Sequence, residues 1–377
     1  MVRRALLDGG PAVLPLAPEL PAPALREALE ALRPTHVVTA GGVRPREGGV
    51  PASGDTAVII ATSGSTGVPK GAELTAGALT ASAAASLARL GARPGERWLC
   101  CLPVSHVSGL AVLVRSLLGG AAPLIHERFS PEAVAASGAD HVSLVPTQLR
   151  RLIDIGADLS AFRTILLGGA APPPGLLAEA RAAGARVVTT YGMSETCGGC
   201  VYDGVPLDGV GAAVGPDGRV RLSGPVLFSG YRLRPDLTAA SLRDGWYLTS
   251  DLGTLEEGRL RVVGRADDVI NTGGRKVVAG TVAGVLSGHP GVRDAVVVGR
   301  PHHEWGEEVV AVVVAADPAA PPALGELRAL VKERLPGYAA PRALAVRDRL
   351  PLLPNGKHDL VAIRRDISGF GGAREVR

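Results

Sequence analysis

The spacing of apolar and polar residues changes character along the chain. Residues 24–33 (ALREALEALR) carry apolar side chains at helical spacing, and residues 35–39 read as a short strand. A Gly/Pro-rich loop is predicted from Gly41 to Gly54. DTAVIIA (55–61) is a continuous apolar run of the kind a buried strand gives. Leu74 to Leu90 is Ala-rich and predicted helical, so residues 55–90 read as strand, loop, helix. Further strands are predicted at 97–102, 141–145, 163–167 and 186–190, and helical patterns fall among them at 107–118, 148–155 and 174–183. This alternation predicts an α/β fold whose sheet is mostly parallel and flanked by helices.

From Gly204 the pattern becomes short β-like segments (219–223, 246–249, 259–263) punctuated by D-G and E-G turns, which predicts a small β subdomain. After Arg265 a polar, glycine-rich segment, ADDVINTGGRKV, leads into a compact α+β pattern. Its helices are predicted at 277–287 and 324–335, and its strands at 295–299, 309–316 and 343–346. The boundary is placed at 264–268, which gives an N-terminal domain of 1–265 and a C-terminal domain of 268–377.

Composition narrows the class. A chain of 377 residues with 46% hydrophobic and 20% charged residues suits a soluble globular protein of two or three domains. Only 3% of residues are aromatic, so the core must be built from Ala, Val and Leu. The net charge of +4, without a basic run, argues against nucleic acid as a partner. No apolar run approaches a membrane span, and five prolines between Pro11 and Pro23 interrupt the chain where a signal peptide would need an apolar stretch. A cytoplasmic location without membrane insertion is expected, and a homodimer is left open. Cys197 and Cys200 form C-G-G-C, but the remaining pair, Cys100 and Cys101, has the wrong spacing for a zinc site, so free thiols are expected.

TSGSTGVPKG (62–71) sets four hydroxyls, three glycines and one lysine in ten residues. Glycines let backbone N–H groups close around an anion, and Lys70 adds a point charge. The loop is not a Walker A motif, because Pro69 precedes Lys70 and Gly71 follows it. Lysine is rare: only Lys70, Lys276, Lys332 and Lys357 stand among 40 basic residues. Lysine and arginine differ wherever one oxygen must be reached by a compact ammonium, which draws attention to Lys70 and Lys357 in their glycine-containing loops.

Five further segments follow in order: PVSHVSGL (103–110), LLGGAAPP (166–173), YGMSET (191–196), WYLTSDLG with VGRADDVINTGGRKV (246–253 and 263–277), and LPLLPNGKHD (350–359). With these six segments the chain resembles the adenylate-forming superfamily of acyl-CoA synthetases, adenylation domains and luciferases, from about residue 55 to 360. The resemblance implies an N-terminal ATP- and acyl-binding domain, a small mobile C-terminal domain, and a two-step reaction with ATP, Mg2+ and coenzyme A. In it a small carboxylic acid attacks the α-phosphate to give an acyl-adenylate, and a thiol then displaces AMP.

The resemblance also implies residue roles. Thr62, Ser63, Gly64, Ser65, Thr66, Gly67 and Lys70 would clasp phosphates. Gly168, Gly169, Ala170, Ala171, Tyr191 and Gly192 would surround adenine, while Ser194 and Thr196 approach the phosphates. Asp251 and Arg265 would hold the nucleotide. Glu195 would bind magnesium, Asp267 would be the hinge, and Gly273 and Gly274 would line a coenzyme A tunnel. Lys357, the catalytic lysine, would bridge the acid and the α-phosphate. His106, Gly169, Thr190, Cys197 and Gly198 would border the acyl pocket, with His106 also taken as catalytic.

SHVSGL is similar to the o-succinylbenzoate–CoA ligases of menaquinone biosynthesis, and no carboxylate lies between Pro103 and Leu110 to receive an amino-acid ammonium. Ser250, His358 and the segment 197–202 depart from the usual pattern. Two alternatives stay open, an adenylating enzyme for another aryl or acyl acid, with a carrier-protein thiol as one acceptor, and a nucleotide-binding or NTP-hydrolysing protein without ligase activity. A second substrate carboxylate would need a cation or several hydrogen-bond donors, and no residue is singled out for it.

Overall fold

The computed structural model describes residues 1–62, 69–173, 175–353 and 357–368. Its centre is a seven-stranded sheet ordered Val205–Pro206, Gly198–Tyr202, Val187–Met193, Thr164–Leu167, His141–Leu144, Trp98–Cys100 and Leu124–Ile125. The strands from Val187–Met193 to Leu124–Ile125 run parallel, and Gly198–Tyr202 turns back antiparallel. Helices Ala76–Leu90 and Val107–Leu118 pack together beside this sheet. Both are dominated by Ala, Val and Leu. The helix Val107–Leu118 can start where it does because Gly109 presses on the carbonyls of Leu102 and Pro103, where a Cβ would collide.

Four antiparallel or mixed sheets surround or follow this layer. Trp246–Glu256 is the hub of the β subdomain and pairs with Arg219–Ser223, Leu242–Arg243 and Arg259–Arg265. The last sheet lies wholly between Val269 and Val346, and its apolar clusters draw on no residue before Ile270. The α/β class, the parallel centre and the β subdomain expected from the sequence are all present. Among the described residues no helix is long and apolar enough to cross a membrane.

Three local expectations are corrected. The unit at 55–90 is not strand, loop, helix: Thr56–Thr62 pairs antiparallel with Lys70–Thr75, and the helix begins only at Ala76. KGAELT buries Gly71, Ala72 and Leu74 against that partner, and Thr75 starts the helix by accepting from the Ala78 N–H. Gly42–Pro45, read as loop, forms a hairpin with His36–Thr39. ADDVINTGGRKV is also a hairpin, Val269–Thr272 with Arg275–Val278, closed by Gly273 (φ 57°) and Gly274 (φ 73°). Two successive positive-φ residues are what a type I′ turn requires, and glycine supplies them without strain.

The front of the chain is fastened by one buried residue. Arg232, 4% exposed, donates to the carbonyls of Leu32, Arg33, Val50 and Pro51 and pairs with Glu73 at 3.2 Å. The helix Ala22–Leu32 ends there with Arg33 in the left-handed region, so the guanidinium takes up carbonyls that the helix terminus leaves open.

Candidate active site

Three groups of side chains gather near the carboxyl ends of the central parallel strands, where ligands bind in open α/β sheets. The first surrounds Asp251, whose side chain is 13% exposed. Tyr191 donates its hydroxyl to Asp251 Oδ2 at 2.7 Å, and Arg265 approaches Oδ1 at 3.5 Å while donating to Asp267 Oδ2 at 2.9 Å. Burial, reinforced by the Asp251 charge, pushes the Tyr191 phenol far up, so it stays a donor. Gly192 crosses the neighbouring strand so tightly that a Cβ would run into the Gly198 carbonyl.

The second group centres on Glu195, which is 6% exposed. Tyr231 donates to Glu195 Oε1 at 2.7 Å and touches the Tyr247 hydroxyl at 3.4 Å. Lys70 Nζ reaches the Tyr231 hydroxyl at 3.2 Å, lies 4.4 Å from that ring's centroid and stands 4.0 Å from Glu195 Oε1. Tyr231 and Tyr247 were not among the expected residues, although the chain holds only five tyrosines. Ser194 and Thr196 flank Glu195 in a single turn. Thr196 is fully buried, and its hydroxyl bonds the Gly198 carbonyl and the Met193 N–H. Thr62 closes the strand pair by donating to the Lys70 carbonyl at 3.3 Å, whereas Ser63, Gly64, Ser65, Thr66 and Gly67 lie outside the described residues.

The third group joins the last sheet to the first. The Lys357 Cε stands 3.6 Å from where a Gly169 Cβ would be, and Gly169 itself has φ 84°. Ala170 and Ala171 continue from it along an exposed turn. Although Lys357 keeps solvent along much of its length, the crowding around its ammonium lowers its pKa; Arg265 adds to this and Asp251 opposes it. His106 starts the helix Val107–Leu118 without a side-chain cap bond. Burial lowers its pKa from 6.5, and Lys357 lowers it further, so the imidazole is neutral at pH 7. Gly273 and Gly274 lie on their hairpin, where Gly273 abuts the Trp305 ring and Gly274 faces open space.

Below His106 the helix presents Val107, Ala111 and Arg115 at four-residue spacing, hence on one face. Gly198 fits against this face, its Cβ position 3.4 Å from Ala111 and 4.0 Å from Val107. Cys197, at φ 54°, and Thr190 flank the same strand pair. Arg115 is 6% exposed. Its Nη2 donates to Ser143 Oγ at 2.9 Å and its guanidinium lies 4.5 Å from the Trp98 ring centroid, while its buried Nε has no partner. Among the described residues no carboxylate lies within ion-pair distance of it. Burial lowers its pKa from 12.5, yet an arginine remains cationic at neutral pH. The sequence carried a signal for it, as the one charged position in VSGLAVLVRSLL.

The four cysteines are buried and unpaired. Burial pushes the Cys101 and Cys200 thiols up to about 12, and Cys197 higher still, so these are inert thiols.

Comparison with known proteins gives the family. The family described as "AMP-binding enzyme" matches residues 43–230, and "AMP-binding enzyme C-terminal domain" matches residues 281–357. The chain is 46% identical to the probable 2-succinylbenzoate–CoA ligase of Mycobacterium tuberculosis, over 84% of this chain and 85% of that one. It is 36% identical to a feruloyl-CoA synthase of Amycolatopsis, over 80% and 68% of the two chains. In structure it resembles the o-succinylbenzoate CoA synthetase of Bacillus subtilis in complex with the acyl-adenylate intermediate OSB-AMP. That match has a TM-score of 0.74 and 32% identity, over 88% and 73% of the respective chains. The protein belongs to the AMP-binding enzyme family.

Proposed function

We propose that this protein is an AMP-forming acid–thiol ligase that joins 2-succinylbenzoate to coenzyme A, a step of menaquinone biosynthesis. The observation that carries the choice of acid is Arg115. An isolated buried charge costs several kcal/mol or more unless an anion meets it. 2-Succinylbenzoate has two carboxylates, so one can be activated while the other meets Arg115, which lies on the helix that His106 starts. Ferulate, with a single carboxylate, would leave the cation unmatched.

In this reading the acid's carboxylate attacks the α-phosphorus of ATP and pyrophosphate leaves. The coenzyme A thiol then forms a C–S bond to the acyl carbon, the acyl C–O bond breaks, and AMP leaves. Lys357 holds the attacking carboxylate and the α-phosphate together, offsetting two negative charges that repel. Asp251 accepts from the ribose hydroxyls, supported by Arg265, and Tyr191 flanks the base. The loop 62–71 with Lys70 holds the departing pyrophosphate. Glu195 suits a magnesium ion that shares nucleotide phosphates: it offers one buried carboxylate, and the described residues contain no cluster of three His, Cys, Asp or Glu ligands. When bound, that ion would neutralise charge on the phosphates. The four unpaired thiols support a reducing, cytoplasmic compartment.

With 2-succinylbenzoate, ATP, magnesium and coenzyme A, the protein should release pyrophosphate and AMP in equal amounts, each dependent on the acid. ADP and orthophosphate as products would refute the ligase, and equal turnover of ferulate would refute the choice of acid. The second half-reaction is assigned to the Gly273–Gly274 turn, brought to the site by rotation about Asp267. Gly274→Trp leaves the fold room, since a Cβ there meets nothing within 4 Å. It should cost about 1–2 kcal/mol of stability through its positive φ. Thioester formation should fall at least tenfold while acyl-adenylate formation is kept. Unchanged coenzyme A turnover would remove the turn from the tunnel.

A further inference from the structure

The chain on the two sides of Lys357 is clasped together and held to the sheet by polar contacts. The Leu353 N–H donates to the Lys357 carbonyl at 2.7 Å, Leu352 bridges to His358, and the Asp359 N–H donates to the Pro351 carbonyl at 2.9 Å. Apolar burial anchors the flanking chain, through Leu350 on one side and Ile363 and Ile367 in the helix Leu360–Ser368 on the other. Two polar fixings come from the strand Val292–His302, where its ladder skips a residue at Arg293. Arg293 donates to the Asp348 carbonyl at 3.3 Å, and Asp294 Oδ2 accepts from His358 Nε2 at 2.9 Å. The other oxygen of Asp294 is held by the Ala295 N–H at 2.9 Å, so the carboxylate has one orientation.

His358 is held in an isolated bridge with Leu352, and Lys357 stands at the bend immediately before it, so a clip on His358 fixes the backbone from which Lys357 leaves the chain. We infer that His358, held by Asp294, is a positioning residue that aims Lys357 at the Gly169–His106 side of the site. The inference rests on the reading of Lys357 as the adenylation lysine. Both partners are about one-quarter exposed, so removing either leaves the fold intact.

His358→Ala, Asp294→Ala, Asp294→Asn and the His358→Ala/Asp294→Ala double variant are compared in two assays: acyl-adenylate formation, and thioester formation from added acyl-adenylate. A misplacement of ~1 Å can cost about 100-fold, so each alanine variant should lose roughly tenfold or more in the kcat of adenylation. KM for ATP and the thioester step should hold. Asp294→Asn can accept from the Ala295 N–H with its oxygen and donate its amide to the other tautomer of His358, so it should stay within about twofold of the parent, and the double variant should be no worse than the worse single, as for a coupled pair. Unchanged adenylation, equal loss in both half-reactions, or additive losses in the double variant would each overturn the clip. Lys357→Ala run alongside separates the two readings. If it keeps full adenylation, the lysine assignment itself fails; if it loses adenylation while the alanine variants do not, only the clip fails.

Discussion

Lys357→Ala should slow acyl-adenylate formation by roughly 10²–10³-fold, the scale seen when one preorganised electrostatic donor is removed from an active site. Thioester formation from supplied acyl-adenylate should stay near the parental rate, because that step has no carboxylate to bring against a phosphate. The loss should appear in kcat more than in KM for ATP, because the ATP contacts proposed around Asp251 and the loop 62–71 are left in place. A pH profile gives a second reading of the same residue. Burial and Arg265 lower the lysine's pKa from 10.5 and Asp251 only partly opposes them. The ammonium is present below the lowered pKa and lost above it, so adenylation should decline on the alkaline side earlier than an ordinary lysine would dictate. The thioester step should lack that limb. Equal loss of both half-reactions in Lys357→Ala would contradict the assignment.

Arg115→Met should separate stability from activity. Methionine fills a similar apolar volume, and replacing a buried ion by a well-packed apolar side chain is often neutral or stabilising. Thermal unfolding should therefore occur at the same temperature or higher, the loss of the Ser143 hydrogen bond being offset by removal of an unmatched charge. Catalysis of 2-succinylbenzoate should move the other way. Truncating one partner of a buried charge pair typically costs ~2–5 kcal/mol, which corresponds to about 30-fold or more in kcat/KM. Adenylation of an aryl acid with one carboxylate should be unaffected or improved. A parallel loss for both acids, or marked destabilisation, would make Arg115 a structural residue and leave the identity of the acid open.

The sequence was most legible where pattern and chemistry coincide. The helix Val107–Leu118 and most of the parallel strands stand out as apolar runs between turns, and alternation gives their parallel character but not their order in the sheet. Two hairpins were obscured for a physical reason. Lys70–Thr75 continues without a break into an Ala-rich helix, so its strand character comes from partner Thr56–Thr62 and not from composition. Val269–Thr272 and Arg275–Val278 carry several polar and charged residues, because one face of that hairpin is open. At the site, the motifs marked Glu195, Asp251 and Lys357, but not what steadies them. Tyr231 lies 36 residues from the carboxylate it holds, and Asp294 lies 64 residues from His358. Such pairings are created by strand order, and a linear reading does not reach them.

The Arg232 fastening bears on how such proteins can be recombined. A guanidinium closed in by carbonyls near residues 32 and 50 makes the front of the chain and the strand at Gly230–Tyr231 a single inherited unit, although about 200 positions separate the bonded groups. A chimera that takes its first fifty residues from one parent and the rest from another would inherit only half of a buried lattice of donors and acceptors. The crossover points that suit this scaffold therefore lie elsewhere, and exchange of its opening segment has to carry the Arg232 neighbourhood with it.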